Sequence, residues 1–385
     1  MSSPGSLVIS GLGMMSNLGH DVVTACAAQR AGLVRRYPLG DYSAFDEATL
    51  EAPVTGAPIK GFTDGFIQSG TWVRLALAAL EDLVRYGGLP GPGDHRFWGT
   101  TGLMWVLPEL SFERFLWPET EVPSLLKRFC GDLLAELSQL PLRMVPNGFI
   151  TTGPVGVVTA VRQLEELFAR SSLERVIILG SDSWVDRLSM GLLIREGRLK
   201  TTEQAVGLCP GEAAACLLVE KAAQAQRRGA RTEARILSAA LRPGQEVLDD
   251  EAPPSPRSQQ APGWARHLAS AVIEALEAAG AREPFRGDII LDLNGEQWKA
   301  LLWGHAQVLL HEHIDFNKAR MVVPCVSFGD IGAASGVAAL GIATRSFVRG
   351  GSSTNRTLIC SISDDGGTGA LLAESHPAPP LKPRS

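Results

Sequence analysis

The chain has 385 residues, of which 45% are hydrophobic and 20% charged, enough apolar chain to bury one large core or two fused ones. A formal net charge of -5 argues against nucleic acid or an anionic membrane surface as the main partner. The six cysteines (Cys26, Cys130, Cys209, Cys216, Cys325, Cys360) lack CxxC spacing and mostly sit in apolar runs, so they read as buried thiols of a reducing cytosol rather than a disulfide framework.

The N-terminal MSSPGSLVIS has no basic stretch or long apolar core, and no apolar run approaches about 18 residues, so neither export nor a membrane span is expected. From Leu7, LVISGLGMMSNLGHDVVTACAAQRAG reads as an apolar strand, a glycine turn and a helix. Gly11 and Gly13 invite a dinucleotide reading. Ser16 stands where the third fingerprint glycine belongs and no well-placed acid follows, so a plain strand-to-helix turn is preferred and no cofactor is expected. Arg36 to Gly65, with its prolines and glycines, reads as a long surface connection. Val73, Leu75, Leu77, Leu80 and Leu83 make Thr71 to Tyr86 an amphipathic helix, and Phe97 to Val106 reads as a strand. The stretch from Leu107 to Leu142 sets Phe112, Phe115, Trp117, Leu125, Leu126 and Phe129 among charges. An insertion packed on its own domain is preferred over a partner-binding flap.

Asn147 to Asp186 is the stretch around which the rest is organised: a turn, a buried helix, a loop, a buried strand and a Gly-Ser-Asp end. Val155, Val158, Val161, Leu164 and Leu167 line one helix face, and Val157, Thr159 and Ala160 the other, as suits the middle of a protein. Pro154 fits the first helical turn. A helix N-terminus there gathers unpaired N–H groups and partial positive charge. Such a tip could activate a nucleophile, yet Gly153 occupies the position. Arg187, Arg195, Arg198 and Lys200 follow as a basic run, read as a solvated face.

Gly207 to Arg228 supplies a glycine-bounded strand and a basic helix, and Pro243 to Gln260, rich in Pro, Asp, Glu and Ser, reads as a loop. A helix from Trp264 to Ala279 and strands at Asp288 to Leu293 and Met321 to Val326 come next. Gly336 to Asp365 then repeats the helix, loop, strand and acidic end of Gly156 to Ser183, roughly 180 residues on, which points to duplication of a βαβ-rich half. The halves are expected at 1–232, with an insertion at about 107–145, and 233–385. Alternating strands and helices predict an α/β protein with a mostly parallel sheet covered on both faces, two such halves making five layers. His311, His313 and Asp315 in HEHID could share a strand face and ligate a metal. No fourth ligand is evident, so a surface strand is preferred and no metal is expected.

LVISGLGMMSNLG, VIILGSDSWVD, GLCPGEAAACLLVEKAAQAQRRGA, SFGDIGAASGVAAL and DDGGTGALL resemble, in this order, the landmark segments of β-ketoacyl synthases of the thiolase superfamily. The resemblance implies a five-layered αβαβα thiolase fold and a two-fold dimer. It also implies a helix-tip cysteine that carries the acyl chain, two histidines that stabilise the developing charges, and a supporting lysine. Position by position, the cysteine becomes Gly153, the first histidine Asn294, the second Asp330, the lysine Cys325, and the gating phenylalanine Asp365. Two kinds of cysteine-free relative are known in this family. Chain-length factors pair with a ketosynthase, and thiolase-like proteins accompany type VI secretion effectors as adaptors or chaperones.

The expectation is thus a non-catalytic pseudo-synthase of the bacterial cytosol that works as a homodimer or heterodimer with a protein partner, an effector or a ketosynthase and its acyl carrier protein. The second kind of relative is the first choice for its role. Trp105, Phe112, Phe115 and Trp117 are candidate partner contacts. An alternative is unconventional catalysis at Cys325 or at the acids Asp330, Asp364 and Asp365. Another is binding of small acyl ligands at the helix tip.

Overall fold

The structure, a computed structural model, describes residues 6–45, 51–201, 204–244 and 256–376. Most of the loop expected between Pro243 and Gln260 lies outside them. In chain order come β1 (Leu7–Ser16), α1 (Val22–Arg30), β2 (Tyr37–Phe45), β3 (Glu51–Gly56), α2 (Ser69–Gly87), α3 (His95–Gly99) and β4 (Thr101–Val106). Three short helices, α4 (Phe112–Phe115), α5 (Val122–Leu126) and α6 (Leu133–Ser138), lead to β5 (Met144–Ile150), α7 (Gly156–Arg170), β6 (Arg175–Ser183), α8 (Arg187–Arg195), β7 (Glu212–Lys221) and α9 (Ala222–Arg227). Then follow β8 (Ala234–Arg242), α10 (Arg257–Ala278), β9 (Asp288–Leu291), α11 (Gln297–Leu309), β10 (Arg320–Val322), α12 (Cys325–Phe328), α13 (Ala334–Val348), β11 (Arg356–Ile362) and β12 (Thr368–Ser375).

The strands lie in the order β10-β9-β11-β12-β8-β1-β7-β6-β4-β5. Read outward from β1 and from β8, the two sets of five have the same internal order and the same senses. β4 is parallel to β5 and β6, as β9 is to β10 and β11, while β7 and β12 run antiparallel to both their neighbours. The duplication read from the sequence is therefore present in the topology. β1 and β8 pair over only three positions, Leu7 with Ile236 to Ile9 with Ala234, so the ladder is two sheets joined at one edge.

Alternation along the strands explains the layering, because successive side chains leave opposite faces. Val176 and Ile178 of β6 face the central core that holds Val157, Val158, Val161, Val337 and Leu340, whereas Ile177 and Leu179 face α2. In the second sheet Ile290, Ile359 and Leu371 face the same central core, and Ile289, Leu358 and Leu372 face α10 and α11. The layers are thus α2, sheet, α7 with α13, sheet, α10 with α11: the five-layered thiolase fold. α13 meets α7 closely, since a Cβ on Gly336 would stand 2.4 Å from Val157 Cγ1 and 2.7 Å from the Pro154 carbonyl.

Several local expectations are corrected. The sheets are mixed rather than mostly parallel; the turn between β11 and β12, residues 363–367, is too short for the crossover that a parallel pair needs. Gly11 and Gly13 lie inside β1, not in a turn. A Cβ on Gly13 would stand 2.0 Å from the Ala79 carbonyl, so these glycines let α2 lie against the strand. Arg36 to Gly65 holds an antiparallel ribbon of β2 and β3, and Phe97 belongs to α3, not to a strand. Val323 to Val326 leaves the sheet after the three residues of β10. HEHID is a turn running on from α11, with His311 exposed and Asp315 paired with Arg286 (3.3 Å) and Lys318 (3.6 Å). Among the described residues, no group of three His, Cys, Asp or Glu is placed to hold a metal, and no helix is long and apolar enough to cross a membrane.

The insertion after β4 packs on its own half, as preferred. Phe115, Leu126, Cys130 and Leu134 are buried beneath α2. Two of the proposed partner contacts are therefore core residues. Trp105 is fully buried, its Nε1 donating to Ser181 Oγ at 2.9 Å. Phe115, also fully buried, packs edge-on against Trp72, and exposing such a side chain would forfeit roughly 1.5–3 kcal/mol. β4 is an interior strand, and the insertion covers its outer face. Trp117 is half-buried and donates to Gln68 Oε1 at 3.0 Å, leaving Phe112, 57% exposed, as the open aromatic of the four.

Candidate functional site

The chain leaves β5 at Ile150, and residues 153–155 form a single 3-10 turn that opens α7. Gly153 has φ +59°, the left-handed region where a residue without Cβ is favoured. The N–H groups that such a tip leaves over are already used. Gly153 N–H donates to the Leu107 carbonyl (3.1 Å), Pro154 has none, and Val155 N–H donates to Ser363 Oγ (3.2 Å), whose own hydroxyl donates to the Thr152 carbonyl (2.6 Å). The expected acceptor-hungry tip is thus internally capped.

In front of the tip opens a cleft of about 1240 Å³, bounded by elements of both halves. Gly153 lies on its wall, and Lys299, Asp330, Asp364 and Asp365 line it too. Its floor is an ionic network. Asn294 Nδ2 donates to Asp330 Oδ2 (2.7 Å) and to Glu296 Oε2 (2.9 Å). Arg198 grips Glu296 through two 2.8 Å hydrogen bonds, the fork geometry in which guanidinium and carboxylate bind most strongly, and reaches Asp364 at 2.7 Å. Arg257 stands 3.7 Å from Asp364 and 3.8 Å from Glu196. Buried Lys299 donates to Asp292 Oδ2 and to the Ile362 carbonyl, each at 3.1 Å.

The electrostatics follow from these partners. Burial works against charge on Asp364, but Arg198, Arg257 and Lys299 outweigh it and hold the carboxyl well below the usual carboxylate range. Burial pushes Asp292 up to about 6, opposed by Lys299 and reinforced by Asp330. Glu109, at the exposed rim of the cleft wall, is pushed up to about 7, first by its desolvation in the cleft and then by the charges of Asp365 and Asp364.

Of the five positions singled out in the sequence, four share this cleft or its floor: Gly153, Asn294, Asp330 and Asp365. Asp365, on the β11–β12 turn, accepts from Gly367 N–H at 2.8 Å. Cys325 lies behind the floor, beside a void of about 20 Å³ that Asp292 and Asp330 also line. Burial and these carboxylates push its thiol well above the ordinary value, the opposite of what a nucleophilic cysteine needs. Arg198, read as part of a solvated face, is 7% exposed; it turns inward just past α8 to meet Glu296. Lys299, Glu296, Arg257 and Glu109 escaped the sequence reading. Lys299 alone left a signal, a single charge inside the apolar run WKALLW on the buried face of α11.

The sequence matches no known family model and no curated protein, but solved structures match along nearly its whole length. The ishigamide ketosynthase/chain length factor is 16% identical with a TM-score of 0.70, over 97% of this chain and 100% of that one. AntDE:AntF, a type II polyketide acyl-carrier protein in complex with its ketosynthase bound to the hexaketide, gives 13% and 0.74, over 97% and 100%. The Streptomyces albus oxazolomycin ketosynthase domain gives 14% and 0.76, over 99% and 76%. In fold, then, the chain is thiolase-like and similar to these ketosynthase and chain length factor structures.

Proposed function

We propose that this chain is a non-catalytic ketosynthase-like subunit that acts through a protein partner, as a chain-length factor does. What carries the reading is the state of the four positions where the resemblance implies catalytic groups. Gly153 has no side chain, Asn294 and Asp330 are hydrogen-bonded to each other at 2.7 Å, and Cys325 carries a thiol held in its neutral form. Acyl transfer needs a nucleophile and a group that relays its proton, and these residues supply neither at the helix tip. The structural neighbours support a type II polyketide setting, since their names include a ketosynthase/chain length factor and an acyl-carrier protein complex. They lend nothing to the secretion adaptor reading. Six unpaired cysteines fit a reducing cytosol.

Incubation with acyl-CoA and acylated carrier protein, followed by intact mass measurement, is expected to show no covalent adduct. A stoichiometric thioester would overturn the reading. Co-expression with a type II polyketide ketosynthase is expected to give a stable dimer by light scattering, and a strictly monomeric mass with and without the ketosynthase would count against the partner role.

A further inference from the structure

The face beside β10 collects bases without acids. Although the chain carries a net charge of -5, residues 22–40, 316–329 and 331–363 contain no Asp or Glu. Parts of all three meet at the end of the second sheet, where β10 closes the strand order and has a strand partner on one side only. Arg320, at the start of β10, donates to the Gly351 carbonyl, just past α13, at 2.6 Å. Gly351 in turn lies against Arg30 at the end of α1, since a Cβ there would stand 3.2 Å from Arg30 Cδ. Arg36 closes the other end, its guanidinium donating to the Val326 carbonyl in α12 at 3.4 Å. The stretch from Arg30 to Arg36 thus bridges the two ends of β10, and every one of its residues is exposed.

The charge of this face is left over. Arg320 is matched to Asp288 at 2.6 Å, but among the described residues Arg30, Arg35, Arg36 and Arg349 form no ion pair. Arg35 and Arg36 donate to main-chain carbonyls, those of Asn17 at 3.1 Å and Val326. A base at the end of a helix answers its dipole, which accounts for Arg30 and Arg349 at the ends of α1 and α13. It does not account for Arg35 and Arg36, which lie beyond α1, nor for the apolar side chains set among the bases. Leu33, Val34, Met321 and Val326 are each 50–56% exposed. Scattered surface apolar residues are ordinary, but these four share the one strip that the Arg30–Gly351 and Arg36–Val326 contacts hold together. None of them lines the cleft.

We propose that this face docks an acidic segment of a partner protein, one that carries apolar side chains among its carboxylates. The carboxylates meet Arg30, Arg35, Arg36 and Arg349, and the apolar side chains cover Leu33, Val34, Met321 and Val326. Complementary charge steers such an encounter and fixes its register, while the covered apolar area supplies the desolvated centre. An anionic lipid surface is the weaker occupant, because residues 30–36 and 320–326 offer no aromatic side chain to anchor at the headgroups. Such docking goes beyond the partner-subunit reading and fails separately from it, since it concerns neither acylation nor pairing with a ketosynthase.

The full-length protein is titrated at near-physiological salt, by fluorescence anisotropy, with a dye-labelled peptide repeating Leu-Glu-Glu. Peptides repeating Leu-Lys-Lys and Gly-Glu-Glu are its counterparts. The first is expected to bind and the second not to bind, and the third is expected to bind more weakly than the first because it leaves the apolar strip uncovered. Arg35→Gln and Arg36→Gln are each expected to weaken binding roughly two- to fivefold, the scale of an exposed ion pair, and Val34→Ser to weaken it as well. Arg227→Gln, at an exposed arginine in the last turn of α9, is the control and leaves binding unchanged. At the same salt the protein is expected not to sediment with phosphatidylserine vesicles. Equal binding of the Leu-Glu-Glu and Leu-Lys-Lys peptides, or binding undiminished in both Arg35→Gln and Arg36→Gln, overturns the proposal. Sedimentation with the vesicles that those two substitutions abolish overturns it in favour of a lipid surface.

Discussion

The N-terminal ends of α7 and α13 occupy corresponding places in the repeat, and each is capped from the strand end of the opposite half. At α13 the cap is ionic. Asp182, from the end of β6, accepts Ala333 N–H at 3.0 Å, and Arg114 holds it at 2.7 Å while also donating to the Ser183 carbonyl and Ser189 Oγ. At α7 the cap is neutral: the Ser363 hydroxyl, just past β11, accepts Val155 N–H. Burial drives Asp182 upward in pKa and Arg114 opposes the rise, so one tip stores a desolvated ion pair whose members need each other. The other is held by a neutral hydrogen bond, and both tips border the cleft. One scaffold position is thus anchored by an ion pair in one copy and by a hydroxyl in the other.

Four substitutions and a pH series would break or sharpen this contrast. The largest effect is expected from Arg114→Ala, which strands a buried carboxylate; chemical denaturation is expected to show a loss of about 3–5 kcal/mol. A loss below about 1 kcal/mol would mean that the ionic cap contributes no more than an exposed pair. Next, Gly336→Ala forces a methyl into Val157 and the Pro154 carbonyl and is expected to cost about 1–3 kcal/mol by overpacking. Gly153→Ala meets nothing nearer than Ser363 Oγ at 3.5 Å, so its cost is backbone strain alone, about 1–2 kcal/mol. A Gly153 variant costing more than the Gly336 one would show that the α7 tip is the tighter of the two.

Ser363→Ala removes the neutral cap and is expected to cost about 1 kcal/mol. It should fall well short of Arg114→Ala in the same denaturation series.

The smallest effect is a pH dependence. Glu109 is raised from 4.5 to about 7 and Asp292 from 3.8 to about 6. A carboxyl whose pKa is higher in the folded state holds its proton more tightly there, so its contribution is full below the unfolded value and disappears as pH rises through the folded one. Melting temperature is therefore expected to decline gently from about pH 4.5 to pH 7, and Glu109→Gln should flatten the upper part of that decline. Asp364 acts in the opposite sense, but its titration lies below pH 3.8. An unchanged slope in Glu109→Gln would show that the carboxyl is hydrated by the cleft and not confined by its walls.

Periodicity carried most of the fold. The three-residue steps of α7 and the unbroken apolar runs of β6 and β7 follow from which faces must be buried, and that is written locally in residue order. Where a long-range partner decides the outcome, the residues misled. Gly11 and Gly13 are spaced like a turn and serve a helix contact. Phe115 sits among charges like a surface anchor and Trp105 lies in the apolar strand before it, and an insertion folded back over β4 buries both. At the site, Gly153, Asn294, Asp330 and Asp365 could be singled out because each stands at a fixed offset from a glycine landmark. Arg198 and Glu296 could not, because a charged residue gives no local hint of a partner 98 residues away.

By itself, then, the order of residues determined the duplicated α/β plan and the absence of a side chain at the tip of α7, since hydrophobic period and residue identity are local properties. Only the tertiary structure decided that the tip's N–H groups are capped, that Asn294 and Asp330 bind each other, and that Arg198 turns inward to Glu296 and Asp364. Hydrogen bonds and ion pairs depend on distances across the fold, and those exist only once both halves have closed on the central helices.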